Sequence, residues 1–345
     1  MTQDSSDGRS GAQADIASQP DVWAAAIADL DRLAPPLPRL DSFSEVVFTG
    51  CGSTAYLAQW AAAHCRDLRG VPALALPASE LVLNPGGWAL GPEALLVAVS
   101  RSGRTTETVR AAREFRGRGL GKIVVVTCEP DGELAQWADW VLAVPSGAET
   151  TVPQTRSFTS MMLATARLLS GAPDTQLVDR LASEGRRLLT AHPGGLEPRP
   201  DNVAYTFLGT GPRSGLASES MLKVKEMSLL PAEAFQTLDF RHGPISTVGV
   251  HSVVVAFVPE RAAELELAVL DDVADLGATT IAIGPSSAHD PSRHTRVEFA
   301  PDLAAPWRDV LYLPVVHRTA LAAAHAQGLD PDNPTNLQAV VVLDE

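Results

Sequence analysis

Lysine is scarce in this 345-residue sequence: Lys122, Lys223 and Lys225 are three of 27 basic positions, and the rest are arginine. The net charge is −14 and no basic run occurs. An acidic chain of this kind offers no favourable field to a polyanionic duplex or an anionic membrane surface, so neither nucleic acid nor a membrane is an expected partner. No uninterrupted apolar stretch reaches the ~18 residues that a membrane span requires. Residues 1–20 are polar and lack the apolar core of a secretory signal. Cysteine is also rare. Cys51, Cys65 and Cys128 are an odd set with neither CxxC nor Cys/His ligand spacing, which argues against a disulfide framework or a structural zinc. These absences lead to the expectation of a cytoplasmic protein without a metal.

What is present suits a packed interior: 45% of residues are apolar and 20% charged. The length suggests two domains of roughly 150 residues. Residues 1–18 are Ser/Gly/Asp/Gln-rich and read as a mobile lead-in, followed by a helix over Val22 to Leu33 that Pro35, Pro36 and Pro38 stop. From Asp41, short β-branched runs such as Val46-Val47-Phe48, Leu95 to Val99 and Ile123 to Thr127 alternate with alanine-rich stretches of helical length. That alternation predicts an α/β fold with a parallel sheet. A second copy starts near Asp201, where Val203 to Thr210 again reads as a strand running into Gly-x-Gly. Phe48 and Phe207, each two positions before the first glycine of such a turn, lie 159 positions apart. The expected organisation is a tail and helix over 1–40, a first domain over 41–172, a linker with one helix over 173–200 and a second domain over 201–345.

Four segments carry candidate chemistry. Gly50-Cys51-Gly52-Ser53-Thr54 lies where a strand meets a helix, so its amides can approach an anion; no acidic residue closes the next strand, which disfavours a dinucleotide. Ser100-Arg101-Ser102-Gly103-Arg104-Thr105-Thr106 follows the strand Leu95 to Val99. One helix cap needs one hydroxyl; four hydroxyls, a glycine and two arginines suit a phosphate nest better. In the predicted helix Gly215 to Leu230, Glu219, Lys223 and Glu226 share one face. The reading as a solvated charge stripe competes with that of a buried functional cluster, in which Glu226 is a base and Lys223 holds its geometry. Arg241-His242-Gly243-Pro244 puts His242 on a turn. The other histidines (His64, His192, His251, His289, His294, His317 and His325) have no special sequence context.

These segments, in this order, resemble the sugar isomerase (SIS) family, in particular the isomerase half of glucosamine-6-phosphate synthase and its stand-alone relatives. Ile16-Ala-Ser-Gln19-Pro20, Glu149-Thr-Thr-Val152-Pro-Gln154-Thr155-Arg156 and Asp330-Pro-Asp332-Asn-Pro334-Thr-Asn336-Leu337 extend the likeness over nearly the whole chain. The resemblance implies two tandem SIS domains, each a parallel sheet flanked by helices in a flavodoxin-like three-layer sandwich. It implies that Ser100, Arg101, Ser102 and Thr105 hold the phosphate of an open-chain hexose or amino-sugar 6-phosphate, and that Cys51, Gly52, Ser53, Thr54, Val152 and Gln154 line the sugar. Glu226, supported by Lys223, would move the proton between C1 and C2. His242 would assist ring opening, from a neighbouring subunit of a homodimer. No cofactor or metal is implied.

The departures bear on the reaction. Nothing here resembles the synthase's glutaminase domain, so glutamine is not the expected nitrogen source. Ala339 stands where the synthase carries a Schiff-base lysine. Arg101 and Arg104 stand where the synthase has Gln and Glu. The expected activity is therefore a sugar-phosphate aldose/ketose isomerase or an amino-sugar-phosphate deaminase; the alternative is a non-catalytic sugar-phosphate-binding regulator.

Overall fold

A computed structural model describes residues 11–190, 204–260, 262–285 and 293–343. The lead-in over 1–10, the linker's last residues 191–200, Val203, His192 and His289 lie outside the described residues. Within them the chain divides into two units. The first comprises residues 21–149, 156–179 and 338–343, and the second residues 11–20, 150–155 and 180–337.

The first unit is built on five parallel strands: β1 (Glu45–Gly50), β2 (Ala73–Pro77), β3 (Ala94–Val99), β4 (Gly121–Thr127) and β5 (Trp140–Ala143), in the order β2-β1-β3-β4-β5. Strands covered on both faces read as continuous apolar runs rather than as alternation. Accordingly Val46, Val47, Phe48 and all six residues of β3 are buried. The second unit repeats the pattern with β6 (Ala204–Leu208), β7 (Ala232–Phe235), β8 (Ser252–Phe257), β9 (Thr279–Pro285) and β10 (Thr295–Phe299), in the order β7-β6-β8-β9-β10. In each sheet the order reverses between its first and third strands. Ligands of open α/β sheets bind outside the carboxyl ends of strands at such a reversal.

Nine helices surround these strands among the described residues: α1 (Gly11–Leu33), α2 (Ser53–Arg69), α3 (Ala78–Leu83), α4 (Thr106–Gly117), α5 (Arg156–Ser170), α6 (Thr175–Thr190), α7 (Pro212–Ser228), α8 (Ala263–Asp275) and α9 (Leu313–Ala326). None of them is long and apolar enough to cross a membrane.

Helix α1 corrects the sequence reading, since it begins at Gly11 rather than Val22 and takes in residues 11–18 of the supposed lead-in. Its start is fixed from a distance. The Asp332 carboxylate accepts the Gly11 and Ala12 N–H groups, each at 2.7 Å, satisfying donors that a helix cannot satisfy itself. Farther on, Pro20 has no N–H to give to the Ile16 carbonyl. The Gln19 side-chain amide supplies that bond instead, at 3.1 Å.

The 159-residue repeat is present at the level of backbone conformation. Gly52 (φ 56°, ψ −126°) and Gly211 (φ 61°, ψ −130°) each precede a sheet-facing helix, α2 and α7, in a region closed to other residues. Gly50 and Gly209 end β1 and the β6 segment where the following helix crosses closely. A Cβ on Gly50 would lie 2.7 Å from the Thr54 backbone carbon, and one on Gly209 2.7 Å from that of Arg213. Backbone cannot give way as a flexible side chain can. Gly50→Ala is therefore expected to cost about 1–3 kcal/mol of stability, read as a lowered urea midpoint at unchanged slope. An unchanged midpoint would show that the helix has room to slide.

Candidate functional site

In the first unit, the loops after β1 and β3 flank the reversal point. The Cys51 N–H donates to Thr54 Oγ1 at 2.9 Å, and the Thr54 hydroxyl donates back to the Cys51 carbonyl at 3.0 Å. Thr54 is thus committed to shaping the turn, while Gly52 is exposed and Ser53 buried beside it. The Cys51 sulfur lies 3.5 Å from Thr108 Oγ1, and burial pushes its thiol pKa up. A raised pKa keeps it protonated and a poor nucleophile.

The loop after β3 gathers its hydroxyls around the start of α4. Ser100 Oγ accepts the Gly103 N–H at 3.1 Å and Ser102 Oγ accepts the Arg104 N–H at 3.2 Å. A serine that accepts from the backbone still has its own O–H to donate, which is what an anion needs. Thr105 occupies the N-cap position of α4, yet its side chain makes no capping bond. Helix capping alone therefore does not account for these residues. Gly103 (φ 63°) turns the chain tightly against Gly132.

Arg101 belongs to the same loop. Its side chain is buried; one terminal nitrogen donates to the Ala339 carbonyl at 2.8 Å, and another lies 3.6 Å from Glu149 Oε1. Glu149 also accepts the Arg156 N–H at 3.1 Å and the Ser157 hydroxyl, so it serves the start of α5 as well. The residues after Ala339 continue past α4: the Thr106 N–H donates to the Val341 carbonyl and the Leu343 N–H to Thr106 Oγ1. Arg104 is exposed and pairs with Glu129 at 3.0 Å.

In the second unit, α7 carries the charged triplet. The expected helix over 215–230 runs from Pro212 to Ser228, and Leu229 ends it in the left-handed region before Pro231 is reached. The solvated-stripe reading fails at two of the three positions, because Glu219 and Lys223 have fully buried side chains. The Lys223 ammonium lies 3.4 Å from Glu219 Oε1 and 2.5 Å from Glu226 Oε2. Glu226 remains 18% exposed. One carboxylate of the pair is thus sealed in and the other opens outward. A buried ammonium so placed fixes the geometry of Glu226 and leaves an oxygen available for proton transfer.

The 150–155 segment contributes Val152, half-buried, and Gln154, whose Oε1 is buried with no hydrogen-bond partner among the described residues. Next to them the Thr151 hydroxyl donates to Asp15 at 2.7 Å. An orphaned buried acceptor is costly unless something fills the position, so Gln154 fits a ligand-facing role. His242 follows a short turn over Asp239–Arg241 and is exposed, with no side-chain partner among the described residues.

One residue passed over in the sequence is prominent here. His317, on α9, is fully buried rather than without context, and α9 packs along α7. Its Nδ1 lies 3.2 Å from Gln19 Oε1. Burial, with the positive charge of Lys223, pushes its pKa down to about 3, so the ring is neutral at any ordinary pH. Its only sequence signal was a polar residue directly after the apolar run Leu313 to Val316.

The family model described as SIS domain matches residues 41–170 and 205–302, one stretch over each sheet. The chain belongs to the SIS domain family. A protein of Streptomyces coelicolor named "Putative D-galactosamine-6-phosphate deaminase AgaS" is 32% identical, over 93% of this SIS chain and 90% of its own length. An isomerizing glutamine–fructose-6-phosphate aminotransferase of Chlamydia pneumoniae is 27% identical, over 88% of this chain and 52% of its own. The chain therefore spans about half the length of that aminotransferase. Among solved SIS structures, a tagatose-6-phosphate ketose/aldose isomerase from Escherichia coli superposes with a TM-score of 0.80 at 24% identity, covering 100% of this chain and 99% of the other. A glucosamine-6-phosphate deaminase from Thermotoga maritima gives 0.78 at 24% identity, covering 97% and 100%. These likenesses carry the fold.

Proposed function

We propose that this SIS protein is an enzyme acting at C1 and C2 of a phosphorylated sugar, either an aldose/ketose isomerase or an amino-sugar-phosphate deaminase, with the deaminase favoured. The observation that carries this reading is the buried Lys223 ammonium 2.5 Å from the partly open carboxylate of Glu226. The Streptomyces coelicolor relative, similar over nearly all of both chains, has a deaminase in its name, and this supports the amino-sugar choice.

The chemistry divides among the residues as follows. The O–H groups of Ser100, Ser102 and Thr105, with the amides of the α4 N-terminus, grip the phosphate dianion. Ser53, Val152 and Gln154 face the sugar, and Thr54 holds the first turn in shape. Arg101 supports the phosphate loop through Glu149 and the Ala339 carbonyl. Glu226 takes the C2 proton of the opened sugar and returns it to C1; with an amine at C2 the product is an imine, which water hydrolyses to ketose and ammonia. His242, exposed and without a side-chain partner among the described residues, opens the ring for a second copy in a homodimer.

The test is incubation of the protein with glucosamine 6-phosphate and with galactosamine 6-phosphate, assaying ammonia and ketose phosphate together. Release of both in equal amounts is expected. Ketose from a plain hexose phosphate without ammonia would move the activity to the isomerase. Tight binding of these esters with no turnover of any would overturn the enzyme and leave the regulator.

A further inference from the structure

Residues 150–155 form neither helix nor strand, so no backbone ladder fixes the conformation in which Gln154 is presented. They group with the second unit, although the chain on either side of them belongs to the first. Side chains have to hold such a loop, and its bonds lead to the first turns of α1.

Thr151 is buried, and its hydroxyl donates to Asp15 Oδ2 at 2.7 Å, the length expected of an O–H on an ionised carboxylate. The Pro153 carbonyl, 3.5 Å from the same oxygen, is the poorer acceptor. A hydroxyl has one proton to give. With Asp15 in place, the Pro153 carbonyl that adjoins Gln154 is left out of that bond.

Asp15 is itself held in position. It lies four residues after Gly11, a spacing that puts both on one face of α1. The Asp332 carboxylate fastens Gly11 and Ala12 at 2.7 Å each. Asp332 in turn is presented by a turn in which Asp330 accepts the Asp332 N–H at 3.0 Å and the Asn333 side-chain amide at 2.8 Å. The fit is close: a Cβ on Gly11 would lie 3.0 Å from Thr151 Cγ2 and 3.4 Å from Asp332 Oδ2. The start of α1, the 330–333 turn and the 150–155 loop thus meet at one point.

We propose that Asp15 is a positioning residue for sugar recognition, seating the 150–155 loop through Thr151 so that the Gln154 side chain meets the sugar. Gln154 Oε1 is buried with no hydrogen-bond partner among the described residues, and a fixed loop keeps it ready for one. The inference rests on the ligand-facing role given to Gln154 above. It gives Asp332 the task of fixing the helical turn from which Asp15 acts. Ser100, Ser102 and Thr105 take no part in these bonds, so the seat governs the sugar end of the ligand and not its phosphate.

Calorimetric titration with glucosamine 6-phosphate and with inorganic phosphate separates the two ends. Thr151→Val keeps the shape of the side chain and loses the hydroxyl. It is expected to raise the dissociation constant of glucosamine 6-phosphate on the order of tenfold, the worth of one well-made hydrogen bond, and to leave that of inorganic phosphate unchanged. Asp15→Ala should do the same, and Thr151→Ser, which keeps the O–H, should match wild type. In a Gln154→Ala background Thr151→Val should add little, because the side chain it orients is already gone. Unchanged affinity for the sugar ester in Thr151→Val and Asp15→Ala overturns the proposal, as do fully additive losses with Gln154→Ala. Equal weakening of both ligands by Thr151→Val, with a lowered melting temperature, marks general damage to the fold and overturns it too. Wild-type protein that binds no sugar ester takes this inference down together with the functional reading, an outcome told apart from the others because it is seen before any substitution.

Discussion

Glu226→Gln is expected to abolish most turnover while leaving sugar-phosphate binding in place. The amide matches the carboxylate in shape and accepts from Lys223, but it cannot take a proton at working pH. General acid–base groups contribute about a hundredfold to ten-thousandfold, and Glu226 is asked to act on both carbons in turn, so the loss in kcat belongs at the upper end of that range. Affinity is assigned elsewhere, to the hydroxyls of Ser100, Ser102 and Thr105. Calorimetric titration with a hexose phosphate should therefore give a dissociation constant close to that of wild type. Turnover within about tenfold of wild type would remove Glu226 from the proton-transfer step, since that loss corresponds to only about 1.4 kcal/mol.

Lys223→Met is expected to be the most destabilising single change in the second unit. Methionine fills the volume of the aliphatic stem, so packing is largely kept. What disappears is the cation 3.4 Å from Glu219, whose side chain is fully buried. Breaking a buried pair from one side costs about 3–5 kcal/mol, a large share of the roughly 5–15 kcal/mol that holds a domain folded. Urea denaturation measures it. The double variant Lys223→Met with Glu219→Gln should regain most of the stability, because no uncompensated charge is left, and still lack activity. A single variant as stable as wild type would mean that Glu219 is already neutral in the folded protein.

The outline of the fold was legible wherever a strand is buried on both faces. Val46-Val47-Phe48, Leu95 to Val99 and Ile123 to Thr127 are central strands, and continuous apolar runs announce them. The edge strands β2 and β5 were not read. Ala73–Pro77 is short, partly exposed and closed by proline, and Trp140–Ala143 has only four residues. The start of α1 was missed for a different reason: residues 11–18 have weak apolar periodicity, and their cap is Asp332. The charged triplet could be placed on one helix face by spacing alone. Which of its members are sealed in depended on α9, and so did the significance of His317, which no local pattern carries. The same holds for Arg101, whose partners, Glu149 and Ala339, are set by tertiary folding.

The bond from Asp332 to the first turn of α1 spans more than three hundred positions. On the ribosome, which releases the chain from its amino end, Gly11 and Ala12 emerge long before the carboxylate that completes them. Until Asp332 has been made, that helical turn lacks the acceptor that completes it. A chain without Asp332 leaves the first turn of α1 with two N–H groups that nothing else in that clasp accepts.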